Sequence, residues 1–286
     1  MTDPVVLDNV ELVTSEFQYG EGPRWHDNHL WFSDTFGDAI LRVDEKGNLS
    51  RVMGFPRPSG LGFLSDGALV GAAFDELRIY RADAHSGHLR EIADLSDPGV
   101  TMLNDMVVAA SDAIYVGRYY DASAGFPVGE LLHVTPDGKW RVVAKDLIAP
   151  NGMAILPDDE TLLVNQSGGE NILAFDIEVD GGLSGRRVWA SLPGKYPDGI
   201  CVDAEGAAWI GSFMTNEFLR VLPGGAVTHS HRTSDRWAVA PMLGGSDGKT
   251  LFMISADTDL EDRYPRGISS GVLETARVTV PRAGRP

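Results

Sequence analysis

Self-similarity at a regular period constrains this chain more than any other feature of its sequence. Six phrases share one grammar: EGPRWHDNHLWFSD, SGLGFLSDGALVGA, NDMVVAASDAIYVG, NGMAILPDDETLLV, DGICVDAEGAAWIG and APMLGGSDGKTLFMIS. Each reads as an apolar run, a turn such as Pro157-Asp158-Asp159, and a second apolar run, which is the pattern of a β-hairpin. They open on Glu21, Ser59, Asn104, Asn151, Asp198 and Ala240, so the step runs from 38 to 47 residues and averages about 44. A period of roughly 40–50 residues belongs to β-propeller blades. A second hairpin follows each phrase, as in ILRVDEKGNLSRV and LLHVTPDGKWRVV. Two hairpins per period make a four-stranded blade. The expected fold is therefore all-β, a six-bladed β-propeller of four-stranded antiparallel blades forming one domain over residues 1–286. The run VELVTSEF near the start and GVLETARVTV near the end are expected to share a blade and so close the ring. The register is loose at both ends, since the sixth phrase carries two extra residues before its turn and the first is shorter.

The opening residues carry the functional signal. The innermost strand of each propeller blade lines the central channel, so equivalent residues at the strand starts form a ring at one end of it. Glu21, Asn104, Asn151 and Asp198 would bring two carboxylates and two carboxamides to the axis. Oxygen donors of this kind suit a hard cation, Ca²⁺ above all, with Zn²⁺, Mg²⁺ or Mn²⁺ as alternatives. Such a cation would satisfy polar atoms that are costly to bury alone. The competing reading is that Asn-Gly and Asp-Gly at 151–152 and 198–199 are ordinary turn dipeptides.

Composition narrows the partners. The chain of 286 residues carries a formal charge of −17 and a sequence pI near 4.7. That argues against a nucleic-acid partner, which needs a basic stripe, and against electrostatic docking to an anionic membrane. The one cysteine, Cys201, can form no intrachain disulfide and sits in an apolar run, as a small core residue does. No basic-then-apolar leader opens the sequence and no apolar run approaches 18 residues, so a cytoplasmic location is expected.

The phrases EGPRW, NDMVV, NGMAILPDDETLLV and PDGICVDAEGAAWIGSF resemble the gluconolactonase, or regucalcin (senescence marker protein), family. The resemblance runs from about Glu21 to Phe213. It implies a six-bladed propeller and a metal-dependent hydrolase acting on a small-molecule lactone. It implies Glu21, Asn151 and Asp198 as metal ligands, and Asn104 in contact with metal, substrate or both. A divalent cation would polarise the ester carbonyl, and Asp198 would act as general base on water or as the nucleophile.

The sequence departs from that family's pattern at the substrate side. Met102 stands where sugar-lactone members often have Arg, and Leu103 follows it. In GRYYDASAGF, Tyr119 and Tyr120 fall near where those members present acidic or small polar residues, and Phe126 follows in the same loop. These residues are expected either to pack a loop or to form a less polar mouth for a less polar lactone. Two other functions stay open on the sequence: a phosphotriester hydrolase using the same site, and a non-catalytic calcium-binding propeller. Other motifs fail on context. GISSG (267–271) has no His after it to complete a triad. GGSDGKT is one residue short of a P-loop. DTDLED (257–262) lacks the Gly and distal Glu of a calcium loop.

Overall fold

The computed structural model describes residues 3–120, 125–260 and 266–286. Six sheets arise in sequence order, each a run of four antiparallel strands. The innermost strands are Gly20–His26, Pro58–Phe63, Val100–Val108, Pro150–Ile155, Pro197–Asp203 and Trp237–Gly244. Each packs against the next, and the sixth packs against the first, so the sheets close into a six-bladed propeller. The outermost strand of blade six comes from the start of the chain: Glu11–Thr14 pairs with Ser270–Arg277, Glu11 opposite Thr275. This is the closure expected from the terminal runs. No helix among the described residues is long and apolar enough to cross a membrane.

Two further strands tie the ends down. Val5–Val6 adds in parallel to Val227–Arg232 on the outside of blade five. Arg282–Ala283 pairs with the last residues of the inner strand of blade five, and Arg285 bridges to Ile155 at the corresponding end of blade four. The C-terminal segment thus crosses the inner strands at the end away from Asn151 and Asp198.

The apolar core is distributed between blades rather than gathered at one centre. One cluster joins blades two and three through Val70, Leu103, Ile114 and Leu132. Another joins blades five, six and one, with Trp209, Phe252, Leu30 and Cys201 at its heart. Cys201 is a buried core residue, and burial pushes its thiol pKa up to about 12. Trp31 and Trp209 are buried and Trp25 stacks on Phe252 at 5.4 Å, so these three of the six tryptophans serve blade packing.

Near the axis the inner strands pack backbone against backbone. A Cβ on Gly152 would lie 2.5 Å from the Asp198 carbonyl oxygen, and one on Gly199 2.7 Å from the Ala240 Cα. Neither glycine has a positive φ. They are close-approach glycines inside strands, and the turn-dipeptide reading of 151–152 and 198–199 is corrected accordingly. Gly152→Ala is expected to cost about 1–3 kcal/mol through overpacking. Gly54→Ala, where the nearest atom to a new Cβ is 3.8 Å away, is expected to be near neutral. Thermal unfolding of the two variants, side by side, checks the difference.

Candidate active site

Each inner strand is interrupted by a bulge at the place the repeat marks. Ser59 and Gly60, Asn104 and Asp105, Asn151 and Gly152, and Asp198 and Gly199 fall between the paired residues that bracket each irregularity. In blade one Glu21 is the last paired residue, opposite Ser33, before the bulge. A bulge bends the strand and re-aims its side chains, here at the same height in five blades. The sixth place falls to Val239, which stands unpaired between Ala238 and Ala240. Ala240 was expected there. The contact of Gly199 with Ala240 shows the one-residue offset, and blade six contributes no donor.

The four oxygen-bearing side chains are buried or nearly so. Glu21, Asn104 and Asp198 are at most 7% exposed, and Asn151 is half-buried. Glu21, Ser59 and Asn104 line one narrow cleft. Asn104 also borders a larger cavity together with Asn151 and Ser167. Asp198 belongs to the adjoining strand, with its backbone against Gly152. All four sit at one end of the channel.

In blades one, three and four, side chains from the second strand, or just beyond it, latch onto the inner strand of the next blade. Ser33 and Thr35 donate to the carbonyls of Ser59 and Pro58, both at 2.7 Å. Tyr119 donates to the Pro150 carbonyl at 2.6 Å. Asn165 donates to the Asp198 carbonyl and Ser167 to the Pro197 carbonyl, each at 2.7 Å. These bonds fix the backbone on which the ring residues stand. The Asn104 amide also donates to the Tyr119 hydroxyl, so the group Asn104 can offer a cation is its carbonyl oxygen.

One orphan atom bears on the metal. The Asn151 Nδ2 donates to Ser167 Oγ at 3.3 Å, but its Oδ1 is buried and has no hydrogen-bond partner among the described residues. A buried carbonyl oxygen without a donor is costly, and a cation on the axis would satisfy it. The residues present therefore fit a hard divalent ion: oxygen donors only, two of them carboxylates.

Just beneath Asn104 lies a buried ion pair. Arg24 Nη2 is 3.2 Å from Asp105 Oδ1, with both side chains 6% exposed. Arg24 also donates to the carbonyls of Pro23 and Met106. Burial pushes the Asp105 carboxyl up, while Arg24 and the backbone N–H groups of Met106 and Met153 pull it down. The pair ties blade one to blades three and four, one residue from Asn104 and three from Glu21.

Above the ring opens a cavity of about 550 Å³. Met102, Tyr119, Tyr120 and Phe126, the residues expected at the mouth, all line it. Leu103 does not, being fully buried in the core between blades two and three. Tyr120 donates to Glu130 Oε1 at 2.8 Å, and Glu130 is in turn paired with the buried Arg118. Among the lining residues that the sequence reading missed are Ser167, Phe213, Met214 and Leu260. Phe213 packs edge-on against Trp237 at 5.0 Å and against Tyr196 at 6.2 Å, and Phe126 stacks on Tyr196 at 5.8 Å. No charged side chain lines the cavity among the described residues. Of the motifs set aside, GISSG runs into the third strand of blade six, which begins at Ser270, and the last two residues of DTDLED, 261–262, lie outside the described residues.

With that geometry in place, known proteins give a consistent picture. The chain is 26% identical to a 6-deoxy-6-sulfogluconolactonase of Pseudomonas putida over 93% of its own length and 94% of the relative's. It is 24% identical to regucalcin of Danio rerio, covering 86% of each chain. Among solved structures, the calcium-binding protein regucalcin of Agrobacterium tumefaciens superposes with a TM-score of 0.78 at 21% identity, covering 99% of both chains. A family profile described as SMP-30/Gluconolactonase/LRE-like region matches residues 19–257, and the chain belongs to that family.

Proposed function

We propose that this protein is a metal-dependent hydrolase of a neutral lactone less polar than a sugar lactone. The observation that carries the reading is the register of Glu21, Asn104, Asn151 and Asp198. They stand at equivalent bulges at one end of the channel, beneath a cavity and with an orphaned Asn151 oxygen among them. Family membership and lactonase relatives support the reaction class.

Glu21, Asn151 and Asp198 would hold the cation, with Asn104 close to it. When bound, a divalent ion would polarise the ester carbonyl and offset the charge that develops on its oxygen. Asp198 takes the proton of the attacking water, with its backbone held by Asn165. Direct attack by its carboxylate is the alternative. Asn104, locked by Tyr119, orients either the ion or the substrate. The cavity walls keep bulk water from the reacting ester.

The cavity also supports the polarity of the substrate. The hydroxyls of Tyr119 and Tyr120 are already committed to Pro150 and Glu130, and Met102 offers only a soft apolar surface. A sugar would leave several hydroxyls stranded there, each costing about 1–3 kcal/mol.

Hydrolysis of a lactone panel with and without chelator tests the proposal. Chelation is expected to abolish turnover and lower Tm, because an ion bound only by the folded state stabilises it by mass action. Full activity in metal-free protein would overturn the metal assignment. In the same panel, aliphatic lactones are expected to exceed gluconolactone in kcat/KM. Met102→Arg should shift the ratio toward gluconolactone by about tenfold or more, the worth of a charge-assisted hydrogen bond. A clear preference of the unaltered protein for gluconolactone would refute the polarity argument.

A further inference from the structure

We infer that the outer half of the cavity is a subsite for a linear alkyl or acyl arm carried by the lactone, seated on Phe126, Phe213, Met214 and Leu260. The inference rests on the lactonase reading.

The first argument is size. A five-membered lactone ring has only six heavy atoms and fills a minor part of a cavity of about 550 Å³. Something else must occupy the remainder for the site to exclude water.

The second is the gradient of polarity with depth. Asn104 lies at the deep end at 7% exposure, with Asn151 and Ser167 nearby. Met214 and Leu260 form the lip at 43% and 59% exposure. Large apolar side chains held open at the edge of a cavity mark a binding surface. A ligand matching this gradient has a polar reacting head and an apolar tail.

The third is preorganisation. Met214 stands in a 3₁₀ turn, Phe213–Thr215, capped by Asn216 in the left-handed conformation and tied by the 2.8 Å contact between Ser212 Oγ and Thr215 Oγ1. Phe213 is wedged between Trp237 and Tyr196. A wall already fixed loses little on binding.

The shape favours a chain over a ring. Phe126 already stacks on Tyr196, and Phe213 is packed edge-on by its neighbours. The unbranched Met102 and Met214, with Leu260, can conform to a flexible tail.

The test is a series of γ-lactones that differ only in a linear alkyl group on the ring, from methyl to octyl. Below micelle-forming concentrations, kcat/KM is expected to rise two- to fourfold per methylene, mostly through KM, until the cavity is full; fourfold corresponds to complete burial of one CH₂. Met214→Ser and Leu260→Ser should flatten that slope. The slope is read within each protein, so a general loss of activity does not mimic the effect. Turnover of all members with no dependence on chain length would overturn the arm subsite and leave the lactonase reading intact. So would unchanged slopes in both variants, or a phenyl-bearing lactone surpassing the alkyl lactone of equal carbon number. If no lactone is hydrolysed at all, the lactonase reading itself falls.

Discussion

Asp198→Asn is expected to lower kcat by about 10²–10⁴-fold, the range associated with loss of a positioned acid–base group, while a divalent ion still binds. Asparagine keeps the shape and one oxygen ligand but loses the negative charge and the basicity. The carboxylate it replaces is 1% exposed, and the backbone beneath it is held by Asn165, so the substituted side chain should remain in place. Calorimetric titration with Ca²⁺ alongside steady-state kinetics separates the two roles. A variant that binds the ion and hydrolyses lactone at near the original rate would remove Asp198 from the chemistry. A variant that loses metal and activity together, and regains both at high metal concentration, would make it a ligand only.

The largest stability effect is expected at the pair under the ring. Arg24→Met strands the Asp105 carboxylate in a site where both partners are 6% exposed. Removing one member of a buried pair typically costs about 3–5 kcal/mol. At about 2–4 °C per kcal/mol for a chain of this order, Tm should fall by several degrees to well over ten. The companion Arg24→Met, Asp105→Leu leaves no orphaned charge and should regain much of that loss, so a double-mutant cycle measures the coupling. A cost below about 1 kcal/mol for the single variant would mean that Asp105 is relieved by water or by taking up a proton. Because Asp105 adjoins Asn104, metal affinity should weaken in the single variant as well.

The blade pattern was legible because a propeller repeats one physical solution six times, and turn chemistry announces each repetition. Glu21, Asn104, Asn151 and Asp198 could be placed on one level for the same reason. The offset at blade six could not, since its bulge leaves one residue unpaired rather than two and shifts the register from Ala240 to Val239. Gly152 and Gly199 were ambiguous because glycine serves both turns and tight backbone contacts, and only three dimensions separate the uses. Half of the cavity wall was missed through anchoring the repeat on inner strands alone. Thr35, Phe74, Tyr119, Ser167 and Phe213 all fall at or just past the end of the second strand of their blades. Applying the same count to that strand would have found Phe213 and Ser167 beside Tyr119. Leu260 had no such signal, lying in a long connection where periodicity says nothing. Asp105 was hidden for another reason, since its partner Arg24 is 81 residues away.

The pairing of Glu11–Thr14 with Ser270–Arg277 has a consequence in time. A ribosome delivers Glu11 long before its partner Thr275, and at about 5–20 residues per second the wait is on the order of ten to fifty seconds. During that interval five blades can assemble while the earliest strand stays idle. The clasp then forms at nearly the greatest sequence separation the chain permits, a slow class of event. A nascent chain released before Ser270 would leave that strand unmatched and blade six without its outer half. The seam thus works as a check on completeness, because only a chain translated past residue 277 can shut the ring.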